Sequence, residues 1–194
     1  LPAGKTRSSA FAHIVPDWIR LGIDTATARI NQLPEDDGKL RAEVTQSVIR
    51  YMGNDYPEKS LGLAMLLPEG KDRTHLVGVA ADEWAETNPS AAARWAAEVE
   101  DPALRKEAFR EITNEWAKSN PAAAGSWLND QAPSPARDGA VAIFAGRIVR
   151  DDPVTALNWA SSIENTRERH TILERVMQHW QKVDPEAARA FLAQ

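Results

Sequence analysis

Five arginines, Arg41, Arg73, Arg105, Arg137 and Arg169, stand 32 residues apart along a chain of 194. A guanidinium group is a planar, permanently charged fork of donors. A row of them at fixed spacing has two uses. It can offer cationic sites to an acidic partner or a peptide carboxylate. Or it can be a structural ladder, each group reaching the C-terminal carbonyls of the preceding helix or a carboxylate on the adjacent unit, its stem over a tryptophan ring. The column falls in the first turn of a predicted helix, where positive charge opposes the helix dipole, so something specific must hold it there.

Other residues capable of chemistry do not converge. His13, His75, His170 and His179 have no metal-ligand spacing. Glu35-Asp36-Asp37-Gly38 lacks calcium-loop spacing and reads as a capped turn, and Glu98, Glu100 and Asp101 read as a solvated helix end. Ser8-Ser9 and Ser161-Ser162 sit in no nucleophile elbow. Gly4-Lys5-Thr6 matches the tail of a phosphate-binding loop but lacks its upstream glycine and its strand. With no cysteine there is no disulfide, thiolate metal site or thiol nucleophile. The expectation is therefore a non-enzymatic chain with no catalytic residue, cofactor or metal.

The net charge of −5 comes from interspersed acids and bases with no basic patch, which disfavours a nucleic-acid partner. No apolar run approaches the roughly 18–20 residues of a membrane span. The chain opens on Leu1, which suggests a fragment or a processed protein, cytoplasmic or exported with its signal removed.

The elements that must carry the arginines follow from further columns in the same phase. Pro57, Pro89, Pro121, Pro153 and Pro185 share the 32-residue spacing, as do Trp95, Trp127 and Trp159, with Leu63 before them and Phe191 after. Trp84, Trp116 and Trp180 form another column, with Met52 and Ile148 in register; Ala92, Ala124, Ala156 and Ala188 form a small-residue column, with Ala28 and Ser60 earlier. Asn or Asp before the periodic proline is a helix start. A short helix follows, then a second cap at Asp37, Asp101 or Ser134, then a longer amphipathic helix whose apolar positions lie 3, 4, 7 and 11 residues past the arginine. Nothing alternates with period two, so no strand is predicted. The small column is expected to let the short helices pack on one another, and the tryptophans to fill the gaps between units.

The expected architecture is all-α: a right-handed αα-superhelix of about five to six stacked 32-residue helix pairs. Residues 1–10 are expected to be a disordered tail and 11–194 a single repeat domain, with repeats at about 24–55, 56–87, 88–119, 120–151 and 152–183 and a half repeat at 184–194. The first copy is degenerate: Trp18 is two residues out of register, with Thr25 in the proline position and Asn31 in the tryptophan position.

Asn88-Pro89-x-x-Ala92-x-x-Trp95 resembles the start of a tetratricopeptide repeat, and the match recurs at Pro121-Ala124-Trp127, Pro153-Ala156-Trp159 and Pro185-Ala188-Phe191. The period is 32 rather than 34. The family's Leu-Gly pair falls on Glu98-Val99, its tyrosine on Pro102 and its later alanine on Glu111. The unit is also similar to Ala/Trp-rich repeats of uncharacterised bacterial proteins. The resemblance implies a solenoid with a protein- or peptide-binding groove. Two functions are expected from it: a binding or scaffolding module, or the non-catalytic helical part of a larger enzyme, envelope protein or sensor.

Overall fold

The computed structural model describes residues 5–34, 36–52 and 55–193. Among the described residues the chain is all-helical, with twelve helices and no strand. They are α1 (Lys5–Arg20), α2 (Ile23–Asn31), α3 (Gly38–Met52), α4 (Pro57–Met65), α5 (Lys71–Thr87), α6 (Pro89–Glu98), α7 (Pro102–Ser119), α8 (Pro121–Asn129), α9 (Pro135–Ile148), α10 (Pro153–Ser161), α11 (Thr166–Val183) and α12 (Pro185–Leu192).

All five periodic prolines open a short helix, where the missing N–H is no loss. The preceding side chain caps four of these helices: Asn88 accepts from the Ala91 N–H at 3.1 Å, Asn120 from Ala123, Asp152 from Thr155 and Asp184 from Ala187, each at 3.0 Å. Tyr56 stands in this position before α4 and supplies no such bond. The longer helices start on Asp37, Asp101, Ser134 and Asn165, each accepting from backbone N–H groups of the first turn. Before α5 the cap position is Gly70, whose φ of 145° a side chain would resist.

At Asp152 the hydroxyl and backbone N–H of Thr155 hold the carboxyl below its ordinary value of 3.8. A lowered folded-state pKa contributes stability above the unfolded value, lost as pH falls through the folded one. Asp152→Ala should therefore cost about 1 kcal/mol at neutral pH, a usual cap value. The gap to wild type should begin to narrow near pH 3.8 and close below the lowered pKa in acid-denaturation curves. A gap that stays constant into strong acid would assign the loss to something other than the ionised cap.

The chain divides into two compact units, Leu1–Ala92 and Ala93–Gln194. In the first, α3 packs between α1 and α5, with α2 and α4 against these longer helices; in the second, α9 packs between α7 and α11, with α8, α10 and α12 laid against them. The amphipathic stripes supply the second core: Ala108, Ile112, Ala140, Phe144, Ile172 and Val176 are all buried. Within each unit the short helices pack on long ones and not to a comparable extent on each other. The small column, Ser60 and Ala92 through Ala188, is buried as expected. It serves close approach of a short helix to its long neighbours rather than to another short helix.

The two units repeat one packing register. In the first, Gln46 meets His75 at 3.2 Å and Arg50 meets Glu83 at 3.7 Å, both from α3 to α5. Two periods further on, Arg110 lies over Gly139 and Arg147 bonds the Asn114 amide oxygen, both between α7 and α9. Near-constant sequence separation along a helix pair means that the long helices run in the same direction.

Two expectations are corrected at the N-terminal end. Residues 1–10 do not form a tail throughout: α1 begins at Lys5, because nothing between there and Phe11 breaks a helix, and Pro16 falls inside it. Residues 1–4 lie outside the described residues. The first helix pair is also out of phase. The helix α2 starts at Ile23, not Thr25, and buries Ala26 while Ala28 is exposed. The two-residue offset that sets Trp18 off its column thus carries through α2 and is taken up before α3.

Gly125 and Gly146 of the fourth copy differ in purpose. A Cβ on Gly125 would lie 3.3 Å from ring carbons of both Phe144 and Trp159, whose centroids are 5.0 Å apart. A Cβ on Gly146 would meet nothing within 4 Å. Gly146→Ala should raise stability by about 0.5–1 kcal/mol through helix propensity. Gly125→Ala should lower it, because two mutually packed rings have no room to retreat. Equal effects in thermal melts would contradict this assignment.

Candidate functional site

Each periodic arginine holds the end of the helix before it. Arg41 donates through Nη2 to the Leu33 carbonyl at 2.9 Å, Arg73 through Nε to Leu67 at 2.6 Å, and Arg105 through Nε to Val99 at 2.5 Å. Arg137 donates through Nε to Leu128 at 3.2 Å, and Arg169 through Nη1 to Ile163 at 2.8 Å. None of the five side chains is exposed. These carbonyls close the C-terminal turns of short helices, where the helix dipole is negative. The same charge that is awkward at the start of its own helix is therefore well placed at the end of the previous one. Arg41 and Arg137 depart in detail: they reach eight and nine residues back where the other three reach six, and the buried Nε of Arg41 has no hydrogen-bond partner among the described residues.

Arg137 does more than the others. It is 8% exposed, and its Nη1 and Nη2 also meet the Ser162 carbonyl and hydroxyl at 3.2 and 3.4 Å. Its neighbour Asp138, 3% exposed, accepts from the backbone N–H of Glu164 at 3.0 Å and of Asn165 at 2.9 Å, one per carboxylate oxygen. Residues 137–138 at the start of α9 thus clamp the α10–α11 connection, where Asn165 caps α11. The sequence reading singled out Arg137 and missed Asp138, whose column holds Ala42, Thr74, Lys106 and His170 and carries no pattern.

The other candidates are dispersed. His170 pairs with Glu174 one turn on at 3.1 Å, while His13 and His179 are exposed. Asp37 and Asp101 are caps. Ser161 and Ser162 donate to the carbonyls of Leu157 and Trp159. Of the Gly-Lys-Thr and Glu-Asp-Asp-Gly stretches, Gly4 and Glu35 lie outside the described residues.

Cations gather at a place no column marks. A groove of about 560 Å³ crosses α9, floored by Gly139, Ala142 and Ile143. Lys106 and Arg110 of α7 form one wall; Arg167 and Arg175 of α11 form the other. Lys106, Arg167 and Arg175 are exposed and make no ion pair among the described residues, whereas Arg110 pairs with Glu107 at 2.8 Å. The one carboxylate in the lining is Glu168. Gly139 is what admits the first wall: a Cβ there would lie 3.2 Å from Lys106 Cε and 3.5 Å from Arg110 Cγ. The sequence reading saw no basic patch, because these four residues come from two helices more than fifty positions apart in sequence.

The fold and the groove define an all-α protein with a cationic cleft. Comparison of the chain with protein-family models, with curated proteins and with solved structures gives no match. Among the described residues, no helix is long and apolar enough to cross a membrane.

Proposed function

We propose that the chain is a non-enzymatic helical-repeat module for binding or scaffolding a protein or peptide, and that its contact face in the second unit is the groove over α9. One observation carries this. Three of the groove's four cations, Lys106, Arg110 and Arg175, have no lysine or arginine counterpart in any other copy, whereas Arg167 shares its column with Lys39 and Lys71. The positions two periods before Lys106 and Arg110 are Ala42 and Gln46, and those one period before Arg167 and Arg175 are Pro135 and Ile143. The periodic arginines, by contrast, are occupied in holding helix ends. The five periodic arginines serve the architecture; Lys106 and Arg175, which occur once in their columns and stand exposed and unpaired beside a cleft, are suited to a partner. The tetratricopeptide-like helix starts and the repeated register of the long helices support the reading at the level of the fold.

Panning a random peptide library against wild type and against a Lys106→Glu/Arg175→Glu variant tests it. Peptides should be enriched on wild type and lost on the variant, with the melting temperature unchanged. Absence of any enriched peptide, or equal enrichment on both, would remove the reading.

A further inference from the structure

We infer that the groove over α9 takes an acidic peptide segment, with carboxylates on the two walls and an aliphatic side chain on the floor between them. This rests on the reading of the chain as a peptide-binding module and names the chemistry of the partner.

The charge balance sets the sign. Four cations face one carboxylate in the groove of a chain whose net charge is −5. Glu107, on the same helix as the first wall, is already engaged by Arg110. Three unpaired cations around one cleft repel each other, and a ligand carrying two or more carboxylates relieves that repulsion. Arginine suits carboxylates, since its fork donates two parallel hydrogen bonds to one carboxylate.

The shape sets the spacing. Lys106 and Arg110 stand one turn apart on α7, and Arg167 and Arg175 stand eight residues apart on α11, a rise of about 12 Å. An extended peptide covers that distance in about four residues at about 3.3 Å each. Successive side chains of an extended segment point to opposite sides, so acids on adjacent residues can address the two walls. Ala142, Ile143 and Ile172 give the floor an apolar surface for a side chain such as leucine or isoleucine. Asn165 and Thr171 add polar groups on the α11 side for the peptide backbone.

The same lining argues against nucleic acid. No aromatic side chain lines the groove, although the chain holds seven tryptophans, so nothing there offers a stacking surface for bases. The four cations of the groove are also fewer than the roughly six to ten phosphate contacts of a strongly salt-dependent nucleic-acid interface.

Fluorescence anisotropy with the full chain tests the inference. The probe is a labelled ten-residue peptide of glutamate pairs separated by single leucines. Its counterpart has glutamine for glutamate, and a ten-nucleotide oligouridine is the third arm. The acidic peptide should bind at least about tenfold more tightly than its glutamine counterpart, one decade being about 1.4 kcal/mol. Binding should weaken as salt rises from 50 to 300 mM, as expected for exposed charges. Lys106→Glu/Arg175→Glu should reduce it by about tenfold or more, and Lys106→Arg should retain it. Equal binding of the glutamine peptide, still lost in the double variant, would overturn the acidic preference and leave the peptide module standing. Tighter, groove-dependent binding of oligouridine would overturn both. Acidic-peptide binding that ignores the double variant, or no binding up to millimolar peptide, would overturn the inference.

Discussion

Asp138→Ala should lower the stability of the second unit by about 3 kcal/mol, the largest loss expected from any polar side chain here. Hydrogen bonds to a charged acceptor contribute about 1.5–3 kcal/mol each, and removing a buried acceptor leaves its donors unpaired. Asp138 serves two donors, the N–H groups of Glu164 and Asn165, in a position shielded from water. The two bonds are not independent, so the loss falls short of their sum. Asp138→Asn should recover only part of it, because one amide position presents N–H to a backbone N–H. Ser162→Ala should cost less, as its hydroxyl takes one 3.4 Å bond from Arg137 and its carbonyl contact survives. Denaturant melts give the size, and hydrogen exchange gives the place: the amides of Glu164 and Asn165 should lose protection first. A loss below about 0.5 kcal/mol, within the range of an ordinary surface substitution, would show that the clamp does not hold α11 to α9.

That clamp marks how far the sequence could be read. Helix starts were legible because capping is local: Asn88, Asn120, Asp152 and Asp184 each act within three residues of themselves. The apolar stripes were legible because burial repeats with the helix. The arginine column was legible as a column, but which of its two uses applies depends on where the preceding helix ends. The carbonyls it meets at Leu33, Leu67, Val99, Leu128 and Ile163 lie at separations of six, eight or nine. Asp138 was not legible, since its partners lie 26 and 27 residues away and no other copy uses the position that way.

The groove escaped for the opposite reason. A column reading finds what recurs, and Lys106, Arg110 and Arg175 do not recur, while the Arg167 column holds Lys39 and Lys71 but is interrupted by Ala103 and Pro135. Only the packing of α9 between α7 and α11 brings them around one cleft. The offset of the first pair was half visible. Trp18 announced a two-residue shift, but the start of α2 at Ile23 has neither proline nor a side-chain cap to mark it.

Trp127→Ala should cost the second unit about 3–4 kcal/mol, within the range for truncating a packed aromatic. The side chain is half-buried, so exposure alone would suggest less. Its neighbours decide otherwise. The Trp127 ring stands 4.9 Å from Phe109 and 6.0 Å from Trp116, both of which are buried on α7. Removing it uncovers two large rings as well as losing its own contacts, each ring pair contributing about 0.5–1.5 kcal/mol beyond burial. The motif is reused: Trp159 of α10 lies 5.0 Å from Phe144 of α9, and Phe191 of α12 lies 5.1 Å from Trp180 of α11. In each case an aromatic of the short helix closes over an aromatic of the preceding long one. Trp127→Phe should therefore keep most of the stability, whereas Trp127→Leu should lose the ring–ring part. Unchanged melting of Trp127→Ala would mean that the tryptophan column does not seal the helix pairs and stands free to meet a ligand. Unchanged peptide binding together with a large loss of stability would confine its role to the fold and leave recognition to the cations across α9.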